Sequence, residues 1–302
     1  MIRRNVMLIV PISLVAIYGL SQLKNQVRLK WPTPYDQWSI GGEYQPAPAL
    51  SPDGKLVIYS SPLTGHGDIY VTDIGTKQSK RLTSDPDWEG DPKYSPDQRS
   101  IIFVRNFNIW LMHADGSHPK ALTFGATVKR RRPSFSADGK HIIFEDTYQS
   151  RKSNILVLRL TDLKILPVTT APDYYGYPIM DDERNVYYVK FSNDHVGQII
   201  KSDIGGRNLS TVGHGNYFIA LSPDRKYLAS IDEPYSETID LTRTRDAHSQ
   251  VLLNTQTYKS NPTFYPDSKK VLFYESSERT GRRFSSISIA DHRTNEVLTL
   301  PW

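Results

Sequence analysis

The chain has 302 residues, 38% hydrophobic and 23% charged, with 20 Pro, 18 Gly and no Cys. That composition can bury a core, which excludes global disorder; the missing cysteine excludes disulfides, Cys-ligated zinc, iron–sulfur clusters and a thiol nucleophile. The formal charge of +5 is partly a leader property: Arg3, Arg4 and Lys24 fall in the first 24 residues, which hold no acid, leaving 34 basic against 32 acidic residues. No nucleic-acid partner is therefore expected.

In chain order, Met1-Ile2-Arg3-Arg4-Asn5 precedes an apolar run from Val6 to Leu20. A short basic segment before such a run is the pattern of export. Residues 1–24 are read as a signal anchor or a cleaved signal peptide, with Gly19-Leu20-Ser21 as the one fair cleavage candidate. Residues 6–23 would tether the chain to the periplasmic side of the inner membrane; cleavage would release it into the periplasm. Residues 25–46 carry Trp31-Pro32-Thr33-Pro34 and Gly41-Gly42 with no sustained period, and read as a linker.

From residue 47 to 302 the chain repeats itself. Pro48-Ala-Leu50-Ser51-Pro52-Asp53-Gly54-Lys55 recurs as Pro92-Lys-Tyr94-Ser95-Pro96-Asp97-Gln98-Arg99 and as Pro133-Ser-Phe135-Ser136-Ala137-Asp138-Gly139-Lys140. A degenerate copy starts at Pro178, and two more start at Ile219 (Ser222-Pro223-Asp224) and Pro262 (Tyr265-Pro266-Asp267). The starts are 44, 41, 45, 41 and 43 residues apart. In Pro-Asp-Gly, Pro presets φ, Asp bonds its own backbone and Gly takes φ above zero, which makes a turn. The segment before it predicts a first strand with the Pro at its start, and the alternating Lys-x-Ile-x-Phe after it a second. A third β-rich run ends at an Asp in every copy (Asp73, Asp115, Asp162, Asp203, Asp246, Asp291), which starts the next hairpin, and a short fourth run closes the unit. Four strands in about 43 residues make one propeller blade. The expected fold is all-β, a six-bladed β-propeller behind an N-terminal hydrophobic signal or anchor helix.

At these residues the sequence resembles the TolB-type propeller repeats, a WD-like class marked by Ser-Pro-Asp-Gly-Lys, across residues 46–302. The resemblance implies a cell-envelope protein-interaction module. TolB proteins carry an α/β domain ahead of the propeller, where this sequence has residues 25–46.

In a propeller the segments leading into the first strands converge on one face around the channel. Here those segments are acidic (Asp85, Asp87, Trp88, Glu89, Asp91), basic (Lys129, Arg130, Arg131, Arg132) and aromatic (Tyr174, Tyr175, Tyr177; Asn216, Tyr217, Phe218), with Tyr258 to Asn261 in the last blade. Arg and aromatic residues are the usual anchors of a protein interface. The expected rim site is Asp87, Trp88, Glu89, Asp91, Arg130, Arg131, Arg132, Tyr174, Tyr175, Tyr177, Asn216 and Tyr217. The competing reading has the same loops pairing across neighbouring blades and packing the rim. Calcium at the acidic loop lacks the spacing of an EF-hand, and the five turn aspartates Asp53, Asp97, Asp138, Asp224 and Asp267 read as structural. The eight histidines are scattered, and the nucleotide, metalloprotease and serine-hydrolase motifs are missing. The expectation is a monomeric, non-catalytic propeller without metal or cofactor that binds an envelope protein. The rival is a lectin or enzyme acting on an acidic sugar or peptide in the channel.

Overall fold

The computed structural model describes residues 46–64, 67–125, 128–148, 152–170, 173–192, 197–215, 217–231, 236–277 and 281–300. The leader, nearly all of the linker and Asn216 lie outside them. Among the described residues twenty-four strands form six antiparallel sheets, each a meander of four consecutive strands. The first blade holds β1 (Ala49–Leu50), β2 (Leu56–Ser61), β3 (Asp68–Asp73) and β4 (Ser79–Arg81); the second β5 (Glu89–Tyr94), β6 (Ser100–Arg105), β7 (Asn108–His113) and β8 (Lys120–Ala121). The third holds β9 (Lys129–Phe135), β10 (His141–Thr147), β11 (Ser153–Arg159) and β12 (Lys164–Pro167); the fourth β13 (Tyr174–Met180), β14 (Asn185–Phe191), β15 (Gly197–Asp203) and β16 (Ser210–His214). The fifth holds β17 (Tyr217–Leu221), β18 (Tyr227–Ile231), β19 (Thr238–Arg243) and β20 (Ser249–Asn254), and the sixth β21 (Tyr258–Phe264), β22 (Lys270–Ser277), β23 (Gly281–Ser288) and β24 (Thr294–Leu300). Each first strand touches the first strands of both neighbours, β21 against β1 included, so these six surround the channel.

Local chemistry explains why the repeat folds as it does. Ser51, Ser95, Ser136 and Ser222 each donate from Oγ to the Asp two residues on, at 2.6 to 2.7 Å. The same Oγ accepts the N–H five residues on, at 2.9 to 3.0 Å. The residue after that Asp takes the left-handed conformation in Gly54 (φ 72°) and Gly139 (67°), and equally in Gln98 (59°), Arg225 (61°) and Ser268 (57°). Copies that lost the glycine keep the turn, because the Ser–Asp bonds or the flanking ladder hold a conformation that costs a non-glycine residue about 1 kcal/mol or more. In the fourth blade Asp181 does this work alone, accepting the N–H groups of Glu183 (2.9 Å) and Asn185 (2.8 Å). All six aspartates after the third strands accept backbone N–H groups in their hairpins, as expected of them.

A Thr two residues past the fourth strand closes each of the first three blades. Thr83, Thr123 and Thr169 accept the N–H of Ile69, Ile109 and Ile155, each at 2.9 Å, tying the fourth run to the third strand. Apolar side chains of the middle strands are buried between blades. The ring closes by such packing: Val57 and Tyr59 of the first blade share a core with Leu272, Tyr274 and Phe284 of the sixth, and Lys77 Nζ donates to the Val297 carbonyl at 2.6 Å. Every described strand stays in the sheet of its own blade.

One expectation is corrected. The blade-start prolines do not begin the first strands. Pro92, Pro133, Pro178 and Pro262 sit inside β5, β9, β13 and β21. A bulge at each, across which the pairing skips two residues, removes the ladder bond that proline cannot make.

Candidate functional site

Those bulges build the channel. The residue ahead of each bulge proline turns left-handed: Asp91 (φ 51°), Arg132 (48°), Tyr177 (57°) and Asn261 (51°), with Phe218 (52°) ahead of Ile219 in the fifth blade. Five bulged residues at one level, together with Ala47 of the first blade, line a cavity of about 440 Å³. Left-handed backbone at non-glycine residues costs of order 1–3 kcal/mol each and persists only where surrounding structure holds it. Here the bulges of the ring hold it.

Arg132 organises this tier. Its Nη1 donates to both carboxylate oxygens of Glu145, at 2.8 and 2.7 Å, and Nη2 donates to Tyr177 Oη at 3.3 Å. The guanidinium lies 4.0 Å from the Tyr177 ring centroid and 6.0 Å from that of Phe218. Its backbone N–H reaches across to Asp91 Oδ2 of the preceding blade, at 3.0 Å. Glu145 is almost wholly buried and also accepts the Tyr177 N–H at 2.6 Å. Burial opposes the charge on Arg132, but Glu145 beside it raises its pKa well above the ordinary value. Burial pushes the Tyr177 phenol well up, so it stays protonated at neutral pH.

One step further along each first strand comes a second tier of lining residues, Lys93, Ser134, Ile179, Ala220 and Thr263. The cavity ends at the turns leaving these strands, where Ala137, Asp181, Asp182, Pro223 and Arg225 line it. Arg225 pairs with Asp182 Oδ1 at 3.2 Å and with Glu183. Asp181 is committed to its own turn and to Asn185 Nδ2 at 2.9 Å.

The residues expected at the rim divide into two groups. Asp91, Arg132 and Tyr177 line the cavity. The others stand on the side where the chain enters the first strands. Asp87 is exposed there; Trp88 is half-buried, 6.3 Å from the Phe107 ring. Glu89 is fully buried, accepting from the Thr83 hydroxyl and from Arg105 Nε (2.8 Å) and Nη2 (2.6 Å), and burial raises its pKa. Arg130 donates to Asn108 Oδ1 at 2.8 Å and lies 3.6 Å from Asp146, and Arg131 is half-buried opposite Glu145 in the ladder. Tyr174 stacks on Phe191, buried Tyr175 meets Tyr188 edge-on, and Tyr217 meets Tyr177 edge-on at 5.8 Å. The rim candidates are thus largely engaged with neighbours within and across blades. The acidic loop is also dispersed: Asp85 turns to Arg105 at 3.2 Å, whereas Asp91 faces the channel. Among the described residues no group of three or more His, Cys, Asp or Glu is placed to hold a metal ion. Lys93 and Arg225 were not expected at the site. The signal for Lys93 was its place directly after a blade-start proline.

Comparison with known proteins places this geometry. Residues 41–173 match the family model described as TolB beta propeller domain. An uncharacterized protein of Agrobacterium fabrum is 30% identical over 134 residues, covering 42% of this chain and 45% of that protein, so the chain spans less than half the length of this curated relative. Among solved structures, TolB from Acinetobacter baumannii superposes with a TM-score of 0.68 at 18% identity, covering 82% of this chain and 65% of that one. An oligogalacturonate lyase in complex with manganese gives 0.62 at 11% identity, covering 83% and 76%. A chain of the nidogen/laminin complex gives 0.65 at 13% identity, covering 81% and 93%. At these identities the structural likenesses show the fold.

Proposed function

Taking this chain as a TolB-like six-bladed β-propeller, we propose that it acts as a non-catalytic interaction module or scaffold of the cell envelope, holding a partner protein at the channel face. One observation carries the reading. Arg132 is fixed by Glu145 and stacked on Tyr177 beside Phe218, which preorganises a cationic and aromatic surface on a cavity wall. Preformed Arg and aromatic anchors are what protein interfaces use, because little side-chain entropy remains to be lost on binding. The basic leader and the apolar residues 6–23 support a place on the periplasmic side of the inner membrane, or in the periplasm after cleavage. The rim residues on the entering side, Asp87 and Arg130 among them, would extend the same surface.

The test is cross-linked capture from envelopes with the tagged full-length chain. Ser134→Trp, which fills the second tier of the channel without removing a packed side chain, is expected to abolish capture of the partner while circular dichroism stays unchanged. Leu166→Lys, on the exposed outer strand β12, is expected to leave capture intact. Undiminished capture by a folded Ser134→Trp variant would sink the channel assignment.

A further inference from the structure

Three cations line the channel cavity, and two of them have their carboxylates. Arg132 is held by Glu145, and Arg225 by Asp182 and Glu183. Lys93 differs. It is the one charged residue of the second tier, beside Ser134, Ile179, Ala220 and Thr263, and among the described residues no carboxylate lies within ion-pair distance of it. Asp91, two residues earlier, spends Oδ2 on the Arg132 N–H at 3.0 Å. A part-buried ammonium on a cavity wall without an ion-pair partner is available to an arriving anion. Burial lowers the Lys93 pKa, with Asp91 acting in the opposite direction, which agrees with a cation short of its partner.

We propose that Lys93 is the anchor of an anion subsite inside the channel, and that its occupant is a single carboxylate carried by an extended peptide segment of the partner. This rests on the interaction-module reading and names the chemistry of the partner at that site. Thr263 and Ser134 stand in the same tier to bond the second carboxylate oxygen. Two features favour a peptide over an acidic polysaccharide. Asp91, Asp181 and Asp182 line the same cavity, so a chain with a carboxylate on every unit meets repulsion along its length. The same cavity is also lined by Ile179, Met180, Tyr177 and Phe218, which suit the apolar side chains that flank one acidic residue in a peptide.

The probes are acetyl-Leu-Asp-Leu-amide, its Asn counterpart and trigalacturonate, titrated into the full-length chain with carbon-13 methyl-tagged lysines. The Lys93 signal is identified by its loss in Lys93→Arg. The Asp peptide is expected to move that signal at about one tenth or less of the concentration the Asn peptide needs, the ratio of a charge-assisted bond gained. By calorimetry, Lys93→Met is expected to erase the preference and Lys93→Arg to keep it. An unmoved Lys93 signal, equal response to both peptides, or a stronger response to trigalacturonate overturns the proposal. Envelope capture that is blocked by Ser134→Trp yet unchanged by Lys93→Met would leave the module reading standing and remove this one.

Discussion

Two lysines of first strands, 166 residues apart in the chain, are treated in opposite ways by the same ring. Lys259, almost wholly buried in β21, sits in a cage of oxygens: its Nζ donates to the Glu237 carbonyl (2.6 Å), Thr255 Oγ1 (2.6 Å) and the Thr257 carbonyl (2.7 Å), with Thr257 Oγ1 at 3.2 Å. Burial pushes its pKa down to about 8, so the ammonium keeps its proton at neutral pH. Among the described residues Lys93, on the channel wall, receives no such cage. The contrast separates a charge that completes the fold from one left open to a ligand. A buried cation held by many oxygens is part of the architecture, because its removal takes a donor from each of them; a part-buried one without an ion pair contributes little to the fold.

Removing each ammonium tests that contrast directly, and the largest effect belongs to Lys259. Lys259→Met removes a buried donor shared by the Glu237 and Thr257 carbonyls and the Thr255 and Thr257 hydroxyls, some of which keep other partners, and is expected to destabilise the propeller by about 2 kcal/mol in urea unfolding. A loss below about 1 kcal/mol would show that the cage is incidental.

The Ser-Pro-Asp turns give a middle effect with a pH signature. The hydroxyls of Ser51, Ser95 and Ser136 hold the carboxyls of Asp53, Asp97 and Asp138 below the usual range. A carboxyl lowered in the folded state adds stability above its unfolded pKa of about 4, and that stability is lost as pH falls through the lowered value. Melting temperature is therefore expected to drop on going from about pH 4 to pH 2. Ser136→Ala should cost about 1 kcal/mol at neutral pH and shallow that drop. An unaltered acid profile would contradict the role given to the hydroxyl.

The smallest expected effect is at Lys93. Lys93→Met is expected to leave stability unchanged or raise it by up to about 1 kcal/mol, since a part-buried cation without an ion pair is exchanged for a thioether of similar length. A loss as large as that of Lys259→Met would mean that Lys93 is structural, and the contrast between the two lysines would fail.

Much of the fold was readable because its determinants are short-range. The Ser–Asp–N–H bonds of four blades span five residues or fewer, so the motif spells its own turn, and Gln98, Arg225 and Ser268 follow the same φ without glycine because the local bonds or ladder persist. The candidate site was readable only in part. Asp91, Arg132 and Tyr177 were reached through their place before the blade-start proline. That those prolines lie inside strands, at bulges, was not readable. A bulge is a property of two paired strands, and no single stretch of sequence records it.

The sequence by itself determined the number of blades, the turn chemistry and the approximate level of the channel-facing residues, since these follow from a repeat of about 43 residues and contacts within it. The tertiary structure alone decided which charges meet. The Arg132 backbone N–H donates to the Asp91 carboxylate 41 residues earlier in sequence, and the Tyr177 ring that stacks on the Arg132 guanidinium comes from the next blade. Closing the ring set those distances, and the same closure left Lys93 facing the channel with no carboxylate in ion-pair distance among the described residues.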